Sequence, residues 1–159
     1  MMLKKHRGFT LIELVVTVTI VSILALGIVP LAKVTIQREK EKELRADLRN
    51  IREAIDAWKR AYDEGRIRKS LKQSGYPPSL HALVEGVQDE KDDKKRKIRF
   101  LRNIPVDPMS KNESLTAEES WGLRSYDSEA EDPRPGDDVY DVHSLSTHKG
   151  LNGRPYNTW

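Results

Sequence analysis

A single carboxylate, Glu13, stands in the most apolar stretch of the sequence. Residues 9–29 read FTLIELVVTVTIVSILALGIV, and Glu13 is their one charged side chain. An unpaired acid in a membrane helix costs about 3 kcal/mol at the bilayer centre and less near the helix end. The position therefore predicts a carboxylate that functions by pairing with a cation.

The elements that position this acid are a basic leader and a long apolar helix. As a helix, residues 9–29 would be roughly 31 Å long, about the thickness of a bilayer core. We therefore predict a leader over residues 1–8 and a transmembrane half of a helix over residues 9–29. The cations of the leader are Lys4, Lys5 and Arg7.

The N-terminus allows three interpretations. It could be a secretory signal peptide cut at Ala25-Leu26-Gly27, so that a soluble chain begins at Ile28. It could be a plain single-pass anchor. In the third interpretation the chain is cut after Gly8 and keeps the apolar segment.

Glu13 favours the third interpretation, because the other two have no use for an acid. A cut after Gly8 makes Phe9 the new N-terminus, with a cationic α-amine one helical turn from Glu13. In a bundle of parallel, staggered helices the amine of one subunit can pair with Glu13 of another. The acid would then be neutralised only on assembly.

An apolar stripe continues the helix beyond Pro30. Its members recur at spacings of three and four, which is typical of one helix face that packs on a core. We predict an amphipathic half over residues 30–64, ending near Asp63-Glu64-Gly65, and a solvated charged stretch over residues 37–43. The stripe consists of Leu44, Leu48, Ile51, Ile55, Trp58 and Tyr62.

Residues 65–159 predict a loop-rich domain with little regular structure. Residues 121–127 and 138–146 have the composition and alternation of strands. Ser79 is an N-cap candidate for a short helix over residues 79–84. A tail rich in turn residues ends in aromatics that could dock on the core.

Three further segments are predicted to be loops. Residues 65–78 contain two glycines and two prolines, and residues 88–97 are almost wholly charged, which indicates a solvated loop. Residues 98–109 indicate an extended loop that Phe100 and Ile104 pin to the core.

Composition argues against several classes of function. The net charge is +3, and without the three leader cations 25 basic residues balance 25 acidic ones, so nucleic acid is not expected as a partner. The absence of cysteine excludes thiolate metal sites and cysteine nucleophiles. The four histidines have no metal-ligand spacing. His143, beside Asp141 and Ser144, is interpreted as a surface side chain of a strand. We predict no enzymatic activity.

The N-terminal residues resemble a known family. Gly8-Phe9-Thr10-Leu11-Ile12-Glu13, after a short basic leader and before about twenty apolar residues, is similar to the processing motif of type IV pilins and type II secretion pseudopilins. The resemblance implies that a prepilin peptidase cuts between Gly8 and Phe9 and methylates the amine of Phe9. It assigns Phe9 and Glu13 to assembly, and Pro30 falls where many pilin helices kink.

Later segments resemble the major, or G-type, pseudopilin of type II secretion. They are Gly75-Tyr76-Pro77-Pro78-Ser79-Leu80, Ile104-Pro105-Val106-Asp107-Pro108, Trp121-Gly122, and Val139-Tyr140-Asp141-Val142 leading to Ser144. The implied fold is α+β, a long N-terminal helix packed against a small antiparallel sheet.

The chain departs from the resemblance in its last loop. The family often binds calcium there with acids that follow the final strand, but this chain has no acid after Asp141. The side chains that remain are poor ligands for a hard dication. The earlier acids between residues 127 and 138 are interpreted as a solvated loop. We therefore predict neither a metal ligand nor a cofactor, and calcium enters only through the resemblance.

The resemblance implies a structural subunit that polymerises from the inner membrane into a periplasmic pseudopilus driving protein export. Its partners would be further copies of itself, minor pseudopilins, the prepilin peptidase, and the inner-membrane platform with its ATPase. The C-terminal domain would lie in the periplasm. A count of cations under the positive-inside rule favours the opposite orientation, because the cations after the apolar segment outnumber the three of the leader. They are Lys33, Arg38, Lys40, Lys42 and Arg45. The alternatives are a type IV pilin of a surface fibre, weakened by the missing cysteine pair, and a secreted soluble domain.

Overall fold

The computed structural model describes residues 8–69, 74–112 and 114–159, and of residues 26–30 the backbone alone. The predicted leader therefore lies outside the described residues, apart from Gly8. The chain divides into two compact units, one up to Arg38 and one from Glu39 to Trp159.

Helix α1, Leu11–Asp63, is the dominant element and ends where the sequence predicts. Its backbone continues through Pro30, in agreement with the prediction that this proline does not end the helix. In the first unit its large apolar residues, as far as their side chains are described, are exposed, from 40% at Val34 to 86% at Leu11. Among the described residues, no helix combines the length and the apolar character needed to cross a membrane.

The second half of α1 packs against the rest of the second unit through the predicted stripe. Leu44 and Ile51 are completely buried, Ile55 nearly so, and Trp58 lies with its ring centroid 5.3 Å from that of Phe100. Burial of each such side chain contributes on the order of 2 kcal/mol. The stripe is therefore the packing face that its spacing predicts.

Small elements cover this face of α1. Helix α2, Leu80–Glu85, begins at Ser79, whose side chain accepts a hydrogen bond from the Ala82 N–H and confirms the predicted cap. Strands β3, Trp121–Arg124, and β4, Asp141–Ser144, pair antiparallel, with Trp121 opposite Ser144. Both strands are shorter than predicted. The fold is α+β, a long N-terminal helix packed against small antiparallel sheets.

The charged stretch 88–97 is a loop over residues 89–96, as predicted, but its two ends lie in strands that the sequence did not predict. Strands β1, Val87–Gln88, and β2, Lys97–Ile98, pair as a hairpin in which Val87 faces Ile98. The side chain of Asp92 accepts hydrogen bonds from the Lys94 and Arg96 N–H groups and shapes the turn. Most of the charges are solvated as predicted, but Asp89 is 8% exposed and pairs with Arg66. The flanking apolar pair brings the two ends of the stretch together.

The predicted contacts of Phe100, Ile104 and the tail with the core are confirmed. Phe100 and Ile104 pack against the core, and so does the tail, where Tyr156 is buried and begins a 3₁₀ helix, Tyr156–Thr158. The described part of residues 65–78 has neither helix nor strand.

Candidate assembly site at the start of helix α1

Gly8, Phe9 and Thr10 precede helix α1 and are exposed. The Thr10 side chain accepts a hydrogen bond from the Glu13 N–H at 3.3 Å, and the Thr10 carbonyl accepts the first helical bond, from Leu14 N–H at 3.1 Å. Thr10 is thus the N-cap and Glu13 the third residue of the helix. The T-x-x-E pattern of a capping box could have revealed this cap in the sequence.

The hydroxyl groups of the apolar segment have partners inside their own helix. Thr17 donates to the Leu14 carbonyl at 2.9 Å, Thr19 to Val15 at 2.7 Å, and Ser22 to Val18 at 2.8 Å. Such bonds to the preceding turn satisfy a hydroxyl group without any outside partner. These residues can therefore enter an apolar surrounding at little cost.

The Glu13 carboxylate is different. Among the described residues it has no hydrogen-bond donor or cation as a partner, and it is exposed beside Phe9, which is itself 80% exposed. In the apolar segment as described, it is the one polar side chain whose bonding capacity the helix leaves unused. The described part of its own chain offers no partner, so this carboxylate is available to another molecule or to solvent.

A second glutamate on the same helix, Glu41, has the opposite environment. It is 3% exposed, and its Oε1 accepts hydrogen bonds from Leu151 N–H at 2.7 Å and from the Tyr156 hydroxyl at 2.9 Å. Arg45 approaches its other oxygen to 3.8 Å. The prediction that residues 37–43 are simply solvated was wrong at this position, because the tail folds over Glu41.

Arg52 ties helix α1 to the strand and the tail. Its Nε donates to Asp141 at 2.7 Å, and its Nη2 donates to the carbonyls of Val142 at 3.0 Å and Trp159 at 2.8 Å. Nothing in the local sequence marks this arginine, since its partners lie about ninety or more residues away along the chain.

Two segments quoted for the resemblance meet in the core. Asp107 is 2% exposed, and its carboxylate accepts hydrogen bonds from the Ser144 hydroxyl at 2.6 Å and from Met109 N–H at 2.8 Å. The Asp107 N–H donates to Ser120 at 3.0 Å. Asp107 thereby fastens the loop 98–109 to strand β4.

The same contacts show how Ser144, His143 and Asp141, which lie close together in the sequence, are placed relative to a catalytic triad. The Ser144 hydroxyl donates to Asp107 and accepts from Ser146 N–H, while Asp141 pairs with Arg52. His143 packs on Gly122, where an added Cβ would lie 2.2 Å from Nε2. The imidazole is half-buried, which lowers its pKa, so the interpretation of His143 as a surface side chain was incomplete. The three residues are not assembled as a catalytic triad.

No group of three or more histidine, aspartate or glutamate side chains that could hold a metal ion occurs among the described residues. The described residues include the acids between residues 127 and 138, which were interpreted from the sequence as a solvated loop.

Comparison with known families gives a match at the N-terminus. The family model described as the prokaryotic N-terminal methylation motif matches residues 3–29. No curated protein and no solved structure matches the chain. The chain therefore carries a type IV pilin-like N-terminal methylation motif. Proteins with this motif are typically structural, are processed by a prepilin peptidase at the inner membrane, and polymerise.

Proposed function

We propose that this chain is a major pseudopilin, a subunit of a type II secretion system that polymerises into a periplasmic filament and drives protein export. The observation that carries the proposal is the Glu13 carboxylate, which the described part of its own chain leaves without a partner in an otherwise self-satisfied apolar segment. The methylation motif matched over residues 3–29 supports it.

In this proposal the peptidase cuts between Gly8 and Phe9 and methylates the new amine. The amine of one subunit then pairs with Glu13 of the next. Since residues 9 and 13 are four positions apart, an axial offset of about 6 Å between parallel helices brings amine and carboxylate to the same level. Each added subunit neutralises one acid and presents another.

Residues 9–29 would hold the monomer in the inner membrane before assembly. The exposed apolar side chains from Phe9 to Leu24 support this role, because exposed apolar surface of this extent marks a partner or a membrane. The domain that follows would lie in the periplasm and form the outer surface of the filament. Minor pseudopilins and the inner-membrane platform with its ATPase complete the set of proposed partners.

The experiment that tests the proposal is the mass and N-terminal sequence of the native protein extracted from membranes. A chain that begins with N-methylated Phe9 and sediments as a polymer is the expected result. A soluble chain that begins at Ile28 would overturn it in favour of a secreted domain, and an intact leader would leave a plain anchor.

Electron microscopy of the same cells separates the pseudopilus from a surface fibre. We expect no extended surface fibres at native expression, together with loss of export when the gene is deleted. Abundant surface fibres with unchanged export would make the chain a type IV pilin instead.

A further inference from the structure

An arginine cleft lies between helix α1 and the tail. It has a volume of about 340 Å³ and is lined by Arg45, Arg49, Arg52 and Arg154 around the ring of Trp159. Four guanidinium groups on one small concave surface favour an anionic partner, and arginine binds carboxylates with two parallel hydrogen bonds.

Two of these arginines are occupied within the chain. Arg52 is engaged by Asp141 and two carbonyl groups, and Arg45 lies 4.3 Å above the Trp159 ring. Arg49 and Arg154 are exposed and have no carboxylate partner among the described residues. The cleft therefore presents two cations that its own chain, as described, does not compensate.

An acidic loop, residues 127–132, provides the complementary charge. Asp127, Glu129 and Glu131 are exposed and have no cation partner among the described residues, whereas Asp132 pairs with Arg134. As stated above, these acids do not form a metal site in the described structure. The same chain thus carries an uncompensated anionic surface and an uncompensated cationic one.

The acidic loop lies near one end of the arginine cleft, since Arg52 and Trp159 line both the cleft and a second cavity that Ala130 also lines. From Arg45 to Arg52 the cleft extends about 10 Å along the helix. The second cavity, at the Arg52 end, is lined by Ala130 of the acidic loop and by Pro133 just after it. A second copy that is shifted along the helix axis would therefore bring its acidic loop toward the cleft of the first. Such a head-to-tail contact repeats without closing, as a filament requires.

We propose that the arginine cleft of one subunit receives the acidic loop of a neighbouring copy, with Glu129 or Glu131 between Arg49 and Arg154. This inference rests on the proposed polymerisation and adds a contact between domains to the contact between apolar helices. Charge pairs of this kind fix orientation and register more than they add affinity. The contact sets which axial and rotational offset the subunits adopt.

The test uses cysteines in the full-length chain, which contains none of its own. The variant with Arg154→Cys and Glu129→Cys is assembled and treated with a short bismaleimide. If the loop of one copy lies in the cleft of the next, a ladder of covalent dimers, trimers and higher species forms. The matched control is Arg154→Cys with Glu90→Cys, which moves the second thiol to an exposed acid in the loop of the β1–β2 hairpin.

The outcomes separate this contact from polymerisation itself. Sedimentation of the untreated sample reports whether polymer forms. Polymer with a ladder severalfold stronger than in the control supports the contact. Polymer whose ladder is no stronger than in the control overturns the contact and leaves the proposed function intact. Absence of polymer from the chain without added cysteines overturns both.

Charge reversal provides a second, independent measurement. Arg49→Glu with Arg154→Glu should reduce the yield of ordered filaments, and so should Glu129→Lys with Glu131→Lys. The chain that carries all four changes should recover filaments, because its cleft and loop have exchanged signs. Failure of the combined variant to recover, with all three variants folded, would show that the cleft binds a different anion and would overturn the proposal.

Discussion

Glu13 and Glu41 lie on one helix and illustrate two ways in which a chain can use an acid. Glu13 is exposed in an apolar segment and has no partner among the described residues, whereas Glu41 is 3% exposed and accepts hydrogen bonds from Leu151 and Tyr156. The first acid is available to another molecule, and the second completes the fold of its own domain. A buried carboxylate with fixed donors stabilises one chain, while an unsatisfied one favours association.

The largest expected effect comes from Glu13→Gln, which removes the charge and keeps a side chain that a capping box accepts at this helix position. Polymer should fall by tenfold or more, because a neutral residue no longer gains from a neighbour's amine. The free energy of unfolding of the domain should change by less than about 0.5 kcal/mol. Sedimentation and thermal melting measure the two quantities, and normal polymer yield from this variant would contradict the role of the charge.

Whereas Glu13→Gln should reduce the yield of polymer, Glu41→Ala should reduce the folding stability of the domain. It leaves the Leu151 N–H and the Tyr156 hydroxyl without their acceptor, which costs about 1–3 kcal/mol of folding stability. Removal of the leader should continue, because the methylation motif is unchanged. Chemical denaturation measures the loss. Glu43→Ala, at an exposed position of the same helix, is the control and should stay within about 0.5 kcal/mol.

Asp47, a further acid of helix α1, differs from both Glu13 and Glu41 because its partial burial is unfavourable. Burial, and then the charges of Glu43 and Asp107, raise its pKa above the ordinary 3.8. The folded state therefore binds the proton of the Asp47 carboxyl group more tightly than the unfolded chain does. The contribution of this proton to folding stability is lost as pH rises through the raised pKa. Asp47→Asn should increase the melting temperature at pH 7 and lose its advantage near pH 3. An equal gain at both values would rule out the charge as the cause.

The smallest effect is expected at His143, whose pKa is lowered from 6.5, first by burial. The positive charge of Arg52 lowers the pKa further, and Asp141 opposes both effects. Since the unfolded chain binds this proton more readily, stability should decline as pH falls from about 6.5 to the lowered pKa. His143→Gln should flatten that part of the profile, and an unchanged slope would contradict the assignment.

The sequence predicted those features that depend on local spacing. The stripe from Leu44 to Tyr62, the Ser79 cap and the two strand segments follow from periodicity or from single-residue preferences. The antiparallel pairing of the two strands followed from the family resemblance. These signals extend over a few residues, and the structure agrees with them within a few positions. The Phe9–Glu13 relation likewise came from spacing, and its role in assembly stays a prediction.

Long-range polar contacts escaped prediction. The donors to Glu41 lie 110 and 115 residues away, and Ser144 lies 37 residues from Asp107. A charged residue in a polar stretch gives no sign of such a distant partner, so Glu41 was grouped with its solvated neighbours. The hairpin at residues 87–98 was missed for a similar reason, since its apolar pair flanks ten residues that are almost all charged.

The cap at Thr10 has a consequence for the step from monomer to polymer. Because helix α1 begins at Leu11, the bond between Gly8 and Phe9 lies outside its hydrogen bonding, and cutting there would cost the helix none of its bonds. The new ammonium would then sit at the positive end of the helix macrodipole, equivalent to about half an elementary charge. Its own helix repels it. Processing would thus create an unfavourable electrostatic interaction at the N-terminus of each subunit, and pairing with the carboxylate of a neighbour would offset it.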